Sequence, residues 1–175
     1  MTLSGRVRAV GALATLLLSG GCYESRFPID ATPQARIEPA LLGVWRCVPH
    51  DAKPTEPPAT MTVARGRERM YSVSFQEDGK EAARYEAYAS AVRGEMLLNV
   101  RDLSGGPKPW VFIRYALLRP SVLQLQVLNG DALKEQASPE ALRRAVERLQ
   151  RKSGAFVDMN VCARARVEEG SKSGS

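Results

Sequence analysis

The side chains most able to carry out chemistry are the thiols of Cys22, Cys47 and Cys162 and the imidazole of His50, since the acidic pairs Glu77-Asp78 and Glu168-Glu169 are interpreted as solvated charge in a turn and a tail. A thiol can accept a lipid, pair in a disulfide or bind a metal, and an imidazole can bind a metal or transfer a proton. The chain lacks the groups of closely spaced cysteines and histidines that hold zinc, and it has no Gly-x-Ser-x-Gly serine. We therefore predict no catalytic residue, no metal site, no cofactor and no enzymatic activity.

The first 21 residues have the composition of a secretion signal. Arg6 and Arg8 form a short basic region, and residues 9–21 follow without a charge. A charged start, a short apolar core and an exit through small residues are typical of a cleaved signal peptide. The uncharged segment is too short for a membrane span, which needs about 20 residues. We predict that residues 1–21 are a signal peptide.

The residues that close this segment, Leu18-Ser19-Gly20-Gly21-Cys22, resemble the lipobox of bacterial lipoproteins, with the leucine four residues before the cysteine instead of three. The resemblance implies that Cys22 becomes the lipidated first residue of the mature chain and anchors it to a membrane. In enterobacterial lipoproteins an aspartate after the cysteine favours the inner membrane. Because Tyr23 stands there, the resemblance favours the periplasmic face of the outer membrane. The alternative is an ordinary signal peptide with an incidental cysteine.

Export also bears on the two remaining cysteines. If Cys22 carries a lipid, Cys47 and Cys162 are left, and an oxidising compartment allows them to pair. We predict a disulfide that ties the first strand of the domain to the last. The alternative is two separate buried thiols.

The mature chain has room for one domain. Removal of residues 1–21 leaves 154 residues. Residues 22–39 contain three prolines and no apolar periodicity, which predicts a flexible, lipidated tether. We place the folded domain at residues 40–166. The polar, glycine- and serine-rich residues 167–175 are predicted to be a disordered tail.

The folded domain is predicted to be mainly β, with turn signals between short strands. A helical interpretation of the alanine-rich segment 82–92 is the alternative there, but polar and apolar residues alternate along it. Ser138 caps a helix that starts at Pro139 and ends at Gly154. Together these signals predict an antiparallel meander barrel or curved sheet of about eight strands, with one α-helix before the last strand. The predicted strands are Ala40–Val48, Thr60–Arg65, Arg69–Gln76, Ala82–Val92, Glu95–Arg101, Trp110–Leu118, Ser121–Leu128 and Phe156–Arg164.

The first strand carries Gly43-Val44-Trp45, which resembles the Gly-x-Trp signature of lipocalins and related calycin-type barrels. The resemblance implies that Trp45 packs at the closed end of a ligand-binding barrel against an arginine near the last strand, here Arg164 or Arg166. It also implies that the long connection 49–59 is a lid over the open end. A helix before the last strand departs from the usual lipocalin order. The alternative is that Trp45 is an ordinary core aromatic.

Two functions remain open at this point. The first is an envelope lipoprotein whose barrel binds an apolar or amphipathic small molecule, with Tyr71, Val73, Phe75 and Tyr85 as candidate interior residues. The second is a structural or protein-interaction lipoprotein that uses the basic helix face of Arg143, Arg144, Arg148 and Arg151 to contact envelope proteins. The mature chain is modestly basic and lacks a basic stripe with stacking aromatics, so we predict no nucleic-acid partner.

Overall fold

The eight predicted strands form one closed antiparallel barrel. The computed structural model describes residues 25–105, 108–129, 133 and 136–165. Each strand pairs with the next along the chain, and the last pairs with the first, which confirms the mainly β meander and decides between barrel and open sheet. The strands are β1 (Gly43–Pro49), β2 (Ala59–Arg65), β3 (Tyr71–Gln76), β4 (Ala83–Val92), β5 (Glu95–Asp102), β6 (Trp110–Arg119), β7 (Val122–Leu128) and β8 (Phe156–Arg164).

One α-helix, α1 (Pro139–Leu149), precedes β8 within the described part of the chain, as predicted. The hydroxyl of Ser138 accepts a hydrogen bond from the backbone N–H of Ala141 (3.2 Å), and this caps the first turn. The helix ends at Leu149 and not at Gly154, which instead has a φ of 73° in the turn before β8. The segment 83–92, for which a helix was the alternative, is strand β4.

Alternate side chains along the strands point into the barrel. Trp45 lies opposite Met61, and Met61 lies opposite Phe75, so all three share the inner face of the sheet. The same register reaches β8, where Cys162 lies opposite Cys47. These two cysteines form a disulfide between the first strand and the last, as predicted.

A second apolar core lies on the outside of the barrel. Tyr88, Leu97 and Phe112 on the outer face of β4–β6 are buried beneath α1 and an N-terminal segment. The buried face of α1 consists of Leu142, Ala145, Val146 and Leu149. The helix therefore covers one side of the barrel and leaves the interior free.

The N-terminal segment, residues 25–38, is called the strap here because it runs along the outer face of the barrel from end to end. Ser25 and Trp110 exchange two backbone hydrogen bonds of 2.8 Å at the start of β6. At the other end, the backbone N–H of Glu38 donates to the hydroxyl of Tyr71 at the start of β3 (2.8 Å). Successive antiparallel strands start at alternate ends of a barrel, so the start of β6 and the start of β3 lie at opposite ends.

Buried contacts fix the middle of the strap. Ile29 is only 2% exposed, and its backbone N–H donates to the side-chain oxygen of the buried Asn99 (2.8 Å). The backbone oxygen of Asp30 accepts from the hydroxyl of Tyr88 (2.5 Å), and its carboxylate accepts from Arg143 of α1 (2.7 Å). The sequence predicts a flexible tether over residues 22–39, whereas its described part is held against the barrel.

Some predictions concern residues that the structure does not describe. They are the signal peptide at residues 1–21, the lipidation of Cys22, the tail at residues 167–175 and the role of Arg166. Among the helices within the described ranges, none has the length and apolar character needed to cross a membrane.

Candidate ligand-binding site

One end of the barrel is closed by a tryptophan and the residues that precede β1. Trp45 is fully buried, and its indole N–H donates to the backbone oxygen of Leu41 (2.9 Å). Leu41 belongs to a short 3-10 helix, Pro39–Leu41, and packs with Trp45 in the same apolar cluster. The strap leads directly into the group of residues that closes this end, residues 37–42, which we call the plug. We call this the closed end.

Arg164 of β8 holds the plug in place. Its guanidinium carbon lies 4.3 Å from the centre of the Trp45 ring, and its nitrogens donate to the backbone oxygens of Ala40 (2.5 Å) and Leu42 (2.7 Å). A planar guanidinium can stack on an aromatic ring and serve two carbonyls at the same time. Of the two arginines proposed for this position, Arg164 occupies it.

The glycine of Gly43-Val44-Trp45 makes room for that arginine. Gly43 has a φ of 129°, which side chains other than that of glycine rarely allow, and a Cβ built there would lie 2.6 Å from a guanidinium nitrogen of Arg164. The three residues of the motif and Arg164 therefore form one packed unit. This arrangement is the one implied by the resemblance to lipocalins.

Beyond the closed end, several inward-facing side chains keep accessible surface. Inward-facing apolar side chains on five strands, β3 to β7, remain half-buried, although they face the interior of a closed barrel. We call the interior space that these side chains border the hollow; the two best-formed cavities lie outside it, one beside Arg46 and Thr60 and one beside Asp30 and Arg143. The half-buried residues that face it are Val73, Phe75, Tyr85, Leu98, Val100, Tyr115, Leu117 and Leu125.

The four residues proposed from the sequence as interior candidates all face inward, but they divide into two groups. Tyr71 is buried at the closed end, where its hydroxyl accepts the hydrogen bond from Glu38. Val73, Phe75 and Tyr85 are half-buried and line the hollow. Apolar and polar residues alternate along β3, and this alternation identified Val73 and Phe75 as interior candidates. The lining from β5, β6 and β7 was missed because apolar residues occupy both faces of those strands.

The polar groups on the inner face include the hydroxyls of Tyr85 and Tyr115 and the side chain of Asn160, which lies opposite Leu125. The hydroxyls of Tyr85 and Tyr115 form no hydrogen bond with any described residue. Neither hydroxyl is among the buried atoms that lack a partner, so both are accessible to water or to a bound molecule. Burial raises the pKa of Tyr115 to about 12, and neighbouring Tyr71 and Glu38 add to the rise. Burial also raises the pKa of Tyr85, with contributions from the carboxylates of Asp102 and Glu77.

These raised pKa values predict how stability depends on pH. The folded chain holds the two phenolic protons more tightly than the unfolded chain, in which the pKa of tyrosine is about 10. The free energy of unfolding should therefore be insensitive to these groups below about pH 10 and should fall as the pH rises towards 12. Denaturant unfolding at a series of pH values measures this, and the decline should be shallower in Tyr115→Phe. Complete ionisation of Tyr115 in the folded protein near pH 10 would contradict it.

The opposite end of the barrel is bordered by polar loops, and we call it the mouth. The connection between β1 and β2, proposed as a lid, is largely exposed. Together with the β3–β4 turn it places a group of carboxylates on one side of the mouth, and Lys53 and Lys80 lie among them. The carboxylates are those of Asp51, Glu56, Glu77, Asp78 and Glu81.

The basic helix face proposed as a contact surface is only partly free. Arg143 binds Asp30 of the strap and donates to the backbone oxygen of Ala91 (2.6 Å), so it joins α1 to its neighbours. The other three arginines of that face, Arg144, Arg148 and Arg151, are exposed. His50 is exposed in the β1–β2 connection, and no cluster of three potential metal ligands occurs among the described residues. Comparisons with protein-family models, curated proteins and solved structures give no match for this chain.

Proposed function

We propose that this chain is a membrane-anchored lipoprotein of the cell envelope whose barrel binds an apolar or amphipathic small molecule. The hollow supports this proposal, because apolar side chains that keep accessible surface inside a closed barrel gain free energy when a ligand covers them. Tyr85, which lies near the mouth, would orient the polar part of such a molecule. The lipobox-like residues before Cys22 support the anchor.

The closed end supports a lipocalin-like character for the barrel. Trp45, Gly43 and Arg164 have the relationship that the resemblance implies, and the plug of residues 37–42 leaves a single open end. Likeness of architecture does not by itself establish function, so the proposal rests on the hollow.

A second function, contact with an envelope protein, is supported by a different observation. Arg144 and Arg148 of α1, and Arg151 just after its end, are exposed and make no ion pair with a described residue. Solvated arginines on a helix are common, so this surface supports the second function less strongly than the hollow supports the first.

Two substitutions at adjacent positions of β3 test the first function. Val73 faces the hollow and Ser72 faces solvent, so Val73→Trp fills the interior whereas Ser72→Trp adds the same side chain outside. We expect Val73→Trp to weaken binding of the apolar fluorophore N-phenylnaphthylamine by about tenfold or more, equivalent to ~1.4 kcal/mol. Ser72→Trp should bind like the natural chain.

The comparison requires that both variants remain folded, which circular dichroism and thermal unfolding establish. Because overpacking can destabilise a core by about 1–3 kcal/mol, Val73→Phe provides a smaller change that should weaken binding by less. Equal binding by the Val73 and Ser72 variants would show that the fluorophore binds outside the hollow and would refute the proposal.

A further inference from the structure

The strap fixes where the chain leaves the barrel. Its first described residue, Ser25, is paired with Trp110 at the start of β6, which is at the mouth. Cys22 is only three residues before Ser25. An extended chain covers at most about 3.6 Å per residue, so Cys22 lies within roughly 11 Å of this edge of the mouth.

The contacts made by the residues that follow Ser25 hold the strap against the barrel. Ile29 is buried against the barrel, and Asp30 is bound both to Tyr88 and to Arg143. Release of Ser25 alone would leave the strap held from Ile29 onwards. The barrel can therefore move far from the lipid on Cys22 only if several buried contacts of the strap break.

The edge of the mouth beside Ser25 differs in chemistry from the acidic side. Leu103 in the β5–β6 connection is 49% exposed. Arg26 and Lys108 are exposed on the same edge. An exposed apolar side chain beside cations suits the interface of a bilayer, where headgroups are anionic and acyl chains lie beneath them. We call this the mouth edge.

From these observations we infer that the mouth edge lies on the bilayer and that the hollow takes a lipid acyl chain directly from it. This inference rests on the proposed function, because it uses both the lipid on Cys22 and the hollow. Residues 22–24 join the lipid on Cys22 to Ser25, and we call them the leash. Because the leash is short, it holds the mouth at the membrane surface. The closed end, filled by Trp45 and its neighbours, then points away from the bilayer, so the hollow opens only towards the lipid.

The charge of the closed end makes the opposite orientation a definite competitor. That end exposes several arginines and few carboxylates, together with Leu118, which at 58% is more exposed than Leu103. Arginines are attracted to anionic headgroups. Only the leash prevents these arginines from reaching the bilayer. The exposed arginines are Arg65, Arg67, Arg69, Arg93 and Arg119.

Two exposed serines at opposite ends of the barrel allow a matched measurement. Ser104 lies in the β5–β6 connection at the mouth, and Ser121 lies in the β6–β7 turn at the closed end. Ser104→Cys and Ser121→Cys, each made in the full lipidated chain and labelled with a nitrobenzoxadiazole maleimide, are reconstituted in phosphatidylethanolamine–phosphatidylglycerol vesicles. A spin label on the lipid headgroup should quench the Ser104→Cys label several times more strongly than the Ser121→Cys label. Equal quenching, or stronger quenching at position 121, would overturn the inference.

A longer leash provides the second test. A twelve-residue Gly-Ser insertion between Tyr23 and Glu24 adds a flexible span of about 20 Å. We expect it to reduce quenching at position 104 and to slow the uptake of a fluorescent lysolipid from vesicles. Uptake of the same lysolipid offered as dilute monomers should be unchanged. If uptake from vesicles is equally fast with the long leash, the bilayer is not the direct source and the inference fails.

The arms of the experiment separate this inference from the proposed function. Loss of quenching at both positions in Cys22→Ala is the expected control for the anchor. If position 104 is quenched but Val73→Trp and Ser72→Trp take up lysolipid equally, the orientation is correct and the ligand function is wrong. If only Val73→Trp loses uptake but position 121 is quenched as strongly as position 104, the ligand function is correct and the orientation is wrong.

Discussion

Removal of the disulfide between Cys47 and Cys162 is expected to lower the free energy of unfolding by up to about 4.8 kcal/mol, the chain-entropy value for a cross-link over 115 residues. The large value follows from the position of the bond, because β1 and β8 meet at the seam where the barrel closes. Both cysteines are also buried in the interior. Denaturant unfolding of Cys47→Ala/Cys162→Ala against the natural chain measures the loss.

Reduction of the natural chain with dithiothreitol provides the control for this substitution. It breaks the same bond without removing the two sulfur atoms, so it should reproduce most of the loss seen in the double variant. The single variants Cys47→Ala and Cys162→Ala should each lose as much as the double variant, since either one removes the bond. An unfolding midpoint that does not move on reduction would contradict the prediction.

Replacement of Trp45 by alanine is expected to lower the free energy of unfolding by about 3–5 kcal/mol, the usual range for a buried aromatic residue. Trp45 is 0% exposed, and three features depend on it: the apolar plug, the hydrogen bond to Leu41 and the stacking of Arg164. The substitution should therefore destabilise the whole closed end. Limited proteolysis should show earlier cleavage in the segment 37–42, where the plug is held.

Arg164→Lys separates packing from charge at the same site. Lysine keeps the positive charge but has no planar fork with which to serve Ala40 and Leu42 while it stacks on Trp45. We expect a smaller loss than in Trp45→Ala, together with the same early cleavage. If Trp45→Ala were nearly as stable as the natural chain, the plug would not depend on the Gly-x-Trp motif and this account of the closed end would be wrong.

Much of the barrel could be predicted from the sequence because its signals are local. β8 runs over the predicted residues, Phe156–Arg164, and the alternation along β3 places Val73 and Phe75 on one face, as the structure has them. The helix start follows from Ser138 and Pro139, whose effects act within a single turn. The disulfide followed from a count of cysteines and the expected compartment, and not from any knowledge of strand order.

The ordered conformation of the strap could not be predicted because it depends on contacts with residues that are far away in the sequence. Ile29 follows Pro28 in a stretch without periodicity, and it is buried only because Asn99 and the outer face of β4–β6 receive it. One signal was present: residues 96–98 are consecutive apolar residues, which indicates a strand covered on both faces. The packing of the interior could not be predicted either, since Leu98 and Leu125 would be apolar whether the interior were filled or empty.

Native mass spectrometry of the mature chain, extracted gently from its host's membranes, tests the central claim most directly. The account predicts an additional mass beyond the lipid on Cys22, lost on denaturation and identifiable as an acyl lipid or a similar apolar molecule. The same mass should be present in Ser72→Trp and absent from Val73→Trp, because only Val73 faces the hollow. Retention of the additional mass in Val73→Trp, or its absence from all three proteins, would contradict a ligand inside the barrel.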